Sequence, residues 1–503
     1  MSLQKTLIFA AAIFVIQIVQ HTDPMFSMLF FAYILLWVVT FNFAGGFSRA
    51  SGFYVFWFGL LTCIVGGIWK AVLGEPASSN LAAPVPVMAT YVVSMIMILV
   101  CLALSHRVTR SGRGLADKLR ADRINLGLAS LGCFLANQAA VLANMYLPSG
   151  SGSLVAIINQ TNVFLPFAIL LGTVHVIRTS GGRRSVNVVT LVSGLLIFIF
   201  GGLISYSKQG MFTPIVCWGA AAASQRYRLR PWQIALLLAF SIYSVTILSP
   251  LSQVGRALIP DTATTYERAQ LTVDLLSHPI RLRKQYRDQM GTTEPGEKVA
   301  GFASSYFDSP QGLLDRLTII KADDRLVAYT LQGHTDGYQR FIYYFVNWIP
   351  HFIWHDKDRY APPGGLNAGN YYAHEVGGLL SPDDFSTGIS FSPTGEAFHL
   401  EGWLGILLIA PIVWVLLFTS IDSICGDLRR SPYGLIAAVS FAHVAPESLL
   451  AGLVQFIWTG SIAIIIAIVF CTYFAPILGT MLSGPQEPRM SLSPAPGLVQ
   501  SEA

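Results

Sequence analysis

The chain has 503 residues, of which 53% are hydrophobic and 12% charged, with a net charge of +5. Soluble chains carry about 25% charged residues, so this composition excludes an ordinary soluble domain and points to lipid as the solvent. The sequence contains no phosphate-binding GxxxxGK[ST] loop, no GxGxxG after a strand, no HExxH and no metal-spaced acidic pair. ATP-driven transport and metal-dependent hydrolysis lose their support with them.

A spanning helix needs about 20 mostly apolar residues. Runs of that kind lie near 3–20, 25–43, 52–73, 85–105, 125–147, 153–177, 187–206, 211–225, 232–250, 402–420, 434–455 and 457–479. The first resembles a signal peptide in length, but it lacks a small-residue cleavage site before His21 and is read as an uncleaved helix. The run 211–225 is short enough for a half-helix or a re-entrant segment. Pro446 and Glu447 interrupt the run 434–455. The expected fold is therefore all-α, a polytopic membrane protein of about twelve transmembrane helices.

Basic residues follow every second span: Arg107 to Arg123 after the fourth, Arg178, Arg183 and Arg184 after the sixth, Arg226, Arg228 and Arg230 after the eighth, Arg429 and Arg430 after the tenth. Lys70 and Lys208 are the main exceptions. Positive charge stays cytoplasmic, so both termini are expected inside and a large loop, 251–401, outside. The division is 1–250 for spans one to nine, 251–401 for the external loop, 402–480 for the last three spans and 481–503 for a Pro/Ser-rich tail expected to be disordered.

The loop is too long for an ordinary connection. Helix-like stretches occur at 262–289 and 311–332, and Gly337–Phe352 is strongly aromatic, as interfacial segments are. A Gly/Pro/Asn-rich stretch, 361–395, leads into the tenth span. Six cysteines sit mostly alone in or beside apolar runs, which suggests neither a zinc site nor a disulfide framework.

Ionisable residues are densest at 334–375, where Arg340, His351, Lys357, Arg359 and His374 fall together. Such cations could hold an anionic head group, since phosphates favour Arg forks and Lys point charges. Solvated surface ion pairs are the plainer reading. Glu396 stands before the tenth span, where the helix dipole favours a carboxylate and where a base or sugar-hydroxyl ligand could also act. Lys208, at an outer boundary, is either a snorkelling cation or a preset partner for a diphosphate. His443 and Glu447 are ionisable groups within a span, and the asparagines and glutamines of the spans read as interhelical glue.

Three stretches carry a resemblance: Leu314–Asp324, Trp348–Lys357 and Thr394–Gly405. In that order and on one expected face, they resemble bacterial oligosaccharide repeat-unit polymerases of the Wzy type, which make O-antigen and exopolysaccharide. His351 stands where an Arg is usual, and His399-Leu-Glu replaces an aromatic-Asn-Phe run. The stretch from Ser207 to Gly210 is also similar to a span start in these polymerases and in O-antigen ligases. The resemblance implies a metal-independent glycosyltransferase of the bacterial inner membrane that joins undecaprenyl-diphosphate-linked oligosaccharides. It needs no cofactor, because the sugar is already activated. It implies a base, from Glu396, His351 or His374, and cations for the diphosphate, from Lys208, Arg340, Lys357 or Arg359. The partners it implies are the lipid-linked substrate, membrane lipid, a flippase and a chain-length regulator, with no nucleic acid. An O-antigen ligase, a transporter or flippase, and a purely structural assembly protein remain as alternatives.

Overall fold

Backbone polar groups in lipid must be satisfied within the chain, and helices do this one segment at a time. In a computed structural model, residues 1–109, 114–119, 125–146, 163–260, 262–291, 319–347, 349, 353–362, 367–377 and 389–483 are described. Among them every regular element is helical. The chain is an all-α polytopic membrane protein.

Seven described helices are long and apolar enough to cross a membrane: α2 (Pro24–Phe43), α3 (Ala50–Leu73), α4 (Pro84–Val108), α5 (Leu126–Tyr146), α9 (Pro231–Leu258), α16 (Gly405–Cys425) and α18 (Leu450–Met481). Three shorter apolar helices join them: α1 (Leu3–Val19), α6 (Phe164–Thr179) and α7 (Val188–Ile204). The short run near 211–225 is one helix, α8 (Lys208–Ser224), which carries Pro214 in its interior. The ninth helix continues to Leu258, so it passes the expected loop boundary at 250.

The last two predicted spans need correction. The run 434–455 is not one helix. It holds α17 (Leu435–Glu447), a break at Ser448 and Leu449, and then the start of α18, which runs unbroken through the predicted boundary near 456. Ser448 and Leu449 are extended, with ψ of 130° and 166°.

The bundle packs α2 against α1 and α4, α3 against α17, α5 against α6 and α18, and α16 against α4. At the α5–α18 crossing, small residues bring backbones together. A Cβ on Gly132 would lie 1.7 Å from the Ala475 carbonyl oxygen, and one on Gly479 would lie 2.2 Å from that of Leu128. Lys70, which broke the charge pattern, is completely buried and meets Glu75 at 3.0 Å, with Ser79 also accepting from it.

The polar insertion between α9 and α16 falls into two parts. Its first part, α10 (Thr265–Ser277) and α11 (Pro279–Gly291), is split at Pro279, which cannot continue a helix. It joins the end of α9 in a small core around Tyr206, Leu251, Leu275 and Leu282. The second part comprises α12 (Ile320–Leu331), α13 (Tyr338–Val346), α14 (Ala368–Val376) and α15 (Pro393–Glu401). Here α12 packs on α4 and α15, while α13 packs on α15 and the first turns of α18. The aromatic residues Phe341, Tyr344 and Phe345 of α13 pack on the main core.

Gly132 and Gly219 offer a contrast. Gly132→Ala should cost about 1–3 kcal/mol through overpacking. Gly219, inside α8, has open space at its Cβ position, and Gly219→Ala should be neutral or stabilise by about 0.5–1 kcal/mol. Thermal unfolding in detergent should lower Tm for the first only; equal shifts would remove the close-packing account.

Candidate active site

The site is built where the second part of the insertion meets the ends of the bundle helices. Asp323 and Asp324 are buried neighbours on α12. Asp324 accepts from the backbone N–H groups of Ala82 and Ala83 at 2.6 and 2.8 Å, just before α4 begins. Asp323 accepts from Tyr91 Oη at 2.6 Å, from Ser392 N–H at 2.9 Å and from the Ser392 hydroxyl. Ser392 is the N-cap of α15 and accepts in turn from the N–H groups of Thr394 and Gly395. Gly395 is required here, because a Cβ would fall 2.4 Å from Asp323 Oδ1. Asp323 thus seats α15 against α12 and α4.

That seating fixes Glu396, which is fully buried. One of its oxygens accepts from Tyr344 Oη and lies 3.3 Å from Tyr372 Oη. The other accepts from the N–H of Leu450, the first residue of α18. The α18 N-terminus therefore takes its cap from α15. Burial pushes the Glu396 carboxyl up to about 7, against the lowering effect of the Tyr344 and Leu450 hydrogen bonds. Burial and the neighbouring carboxylate raise Tyr344 and Tyr372 well above the ordinary phenol range, so both remain donors.

Tyr372 also donates to Asp336 Oδ2 at 3.1 Å. Asp336 forms a bidentate pair with Arg340, with bonds of 2.9 and 3.2 Å. Arg340 donates a third bond to the Tyr360 carbonyl at 2.9 Å and stacks over Tyr371 at 5.1 Å. Arg359 is exposed and lies over the Tyr360 ring at 4.6 Å. One buried and one exposed guanidinium therefore flank Tyr360.

On the other side of Tyr372 stands His399, its ring edge-on at 5.1 Å. Thr330 Oγ1 stands 2.8 Å from the Leu326 carbonyl and 3.0 Å from His399 Nδ1, and fixes the His399 ring through that contact. His399 Nε2 faces Glu375 Oε2 at 3.3 Å. Two acceptors cannot share that contact, so one proton lies between Nε2 and the carboxylate. Glu375 is 21% exposed, whereas His399 is fully buried. The pair is a hydrogen-bonded His–carboxylate dyad whose carboxylate is partly exposed.

The sequence-predicted residues divide. Glu396 and Arg340 fall in one network. Arg359 lies beside it, and His374 is half-buried in the last turn of α14 next to Glu375. Lys357 does not face the network. Its ammonium donates to the carbonyls of Asn347 and Ile349 at 2.8 and 2.7 Å and closes the chain after α13. Lys208 opens α8, two residues from Tyr206, whose hydroxyl donates to the Arg268 carbonyl of the first part. His351 lies outside the described residues. His443 pairs with Glu447 at 2.9 Å along α17. Asp336 and Glu375 fall within the ionisable stretch 334–375 but were given no role, and Tyr344, Tyr372 and His399 were given none either. The run at His399 did stand out in its stretch, but nothing local joins it to Glu375. No family model, no curated protein and no solved structure matches this chain.

The Glu396 carboxyl gives a pH test. In the folded chain it holds its proton to about pH 7, against 4.5 ordinarily. The stabilisation this confers is complete below pH 4.5 and is lost as pH rises through 7. It is worth on the order of 3 kcal/mol. Tm in detergent should fall for the wild type between pH 5 and 8, and Glu396→Gln should flatten that fall. A variant with the same pH dependence as the wild type would assign it to other groups.

Proposed function

We propose that this chain is a membrane glycosyltransferase that joins oligosaccharide units carried on undecaprenyl diphosphate, acting as a repeat-unit polymerase in a bacterial inner membrane. One observation carries the reading: a His–carboxylate dyad, Glu375–His399, and an ion pair, Asp336–Arg340, flank the single side chain of Tyr372. Transfer of a sugar from a diphosphate needs both a group that takes a proton and a cation that stabilises developing negative charge. Support also comes from Asp323 in the first resembling stretch, which holds the N-cap of the third.

In the proposed step a hydroxyl oxygen of the acceptor unit attacks the anomeric carbon of the donor chain. The bond from that carbon to the diphosphate oxygen breaks, and its electron pair leaves with the diphosphate. The hydroxyl proton passes to the Glu375 carboxylate, which His399 orients. Arg340 commits three of its five N–H donors among the described residues, and with the exposed Arg359 it offers charge to the leaving group. Glu396 acts through Tyr372 and Tyr344 as a positioning residue. Twelve passes, the eleventh completed by the insertion beyond α17, with both termini inside and the insertion outside, complete the proposal.

Glu375→Gln should leave Tm nearly unchanged, because the group is partly exposed, while joining slows roughly 10²- to 10⁴-fold. Cells should then accumulate single lipid-linked units. A ligase would leave long polymer on its carrier instead, so sizing the carrier-linked glycans separates the two. Normal polymer from both Glu375→Gln and Arg340→Ala would remove the transferase reading.

Orientation is tested apart from chemistry. A reporter active only outside the cytoplasm should be silent when fused at residue 115 and active when fused at residue 300. The opposite pattern would invert the topology.

A further inference from the structure

A second polar feature lies among other loops. A cleft of about 470 Å³ opens where α6 and α8 end, lined in part by Arg178, Arg226 and Arg228 together with Gly181 and Gly182. Arginine bonds to backbone carbonyls hold the surrounding loops together. Arg178 donates to Gln225 at 3.1 Å and to the carbonyls of Arg429 and Arg430. Arg230 donates to the carbonyl of Arg183 at 2.5 Å. These loops carry one acid, Asp427, which is already paired with Arg430 at 3.9 Å. The cleft therefore keeps a strong excess of positive charge.

The local backbone points the same way. Arg226 follows the end of α8 with a φ of 53°. A helix commonly ends in this left-handed conformation, but with glycine, since a side chain there is strained. Here the position carries an exposed guanidinium that lines the cleft. Gly181 and Gly182, at φ of 57° and 78°, have nothing within 4 Å of their Cβ positions and leave the opposite wall open. Apolar helices end at this level, which is the height of the polar head groups of a bilayer.

We propose that this cleft binds a phosphate group, and that its source is the head group of an anionic phospholipid. The site is independent of the transferase reading and uses none of its residues. Arg226 and Arg228 supply the exposed charge, and Arg178 holds the wall in place.

The test uses the full chain in a neutral detergent, with phosphatidylglycerol titrated in mixed micelles and bound lipid read by native mass spectrometry. The double variant Arg226→Ala/Arg228→Ala should bind about 10- to 30-fold more weakly. Arg226→Gly, which suits the left-handed backbone and so preserves folding, should bind about 5-fold more weakly. Arg281→Ala/Arg283→Ala removes the same charge from exposed positions on α11 and should change binding by less than about 2-fold. Equal losses in both double variants, or no loss in either, would overturn the site. Equal retention of phosphatidylcholine would reduce it to apolar adhesion. Displacement of the lipid by millimolar pyrophosphate would assign the cleft to a soluble phosphate compound and overturn the lipid source.

Discussion

The first turn of a helix leaves four backbone N–H groups without partners in the helix itself, and lipid offers none. This chain meets that constraint with carboxylates brought from elsewhere. Asp422, on α16, accepts from the N–H and hydroxyl of Ser51 at the start of α3, with Arg49 nearby at 3.8 Å. Asp324 serves the residues that lead into α4. Glu396 serves α18. Each acid lies far along the chain from the helix it caps, so each cap is also a tertiary tie. The polar insertion is held to the bundle through two of the three.

A cap made in this way places demands on its surroundings. A carboxylate in a dry interior is costly unless every lone pair finds a donor. Around Glu396 stand two tyrosine hydroxyls and one backbone N–H, of which Tyr344 and the N–H donate to it. One of those tyrosines passes the chain of bonds to Asp336 and then to Arg340. The candidate active site is thus continuous with the device that starts α18. Disturbance at the chemical end would reach the helix, and movement of the helix would reach Tyr372.

The helices were legible because lipid imposes one simple rule on length and apolarity, and the ends of α2, α4 and α16 fall close to the expected ones. The misreading at 434–455 has a physical cause. Pro446 and Glu447 mark an interruption in the sequence, but not where the next helix starts, and that start is held by an acid 54 residues earlier. Glu396 was recognisable as a carboxylate near a helix start, but the helix it caps is α18, not the span that follows it. Tyr344, Tyr372 and Glu375 lie 24 to 52 residues from their partners. No local spacing rule joins residues at that range. Lys357 looked like a ligand cation by type, and only geometry shows that its ammonium serves two backbone carbonyls.

The unequal pair at the end of the chain has a consequence for the bilayer. At 1.5 Å per residue, α17, with 13 residues, is about 20 Å long, and α18, with 32, is about 48 Å. A hydrocarbon core is about 30 Å thick. The shorter helix cannot reach across it, and the longer one must lean or protrude. The space beyond the tip of α17 is closed by the protein's own polar insertion, through α15 and its contact with Leu450. Along α17 only His443 is exposed, so the missing length is made up inside the protein, by its own polar insertion, and not by lipid.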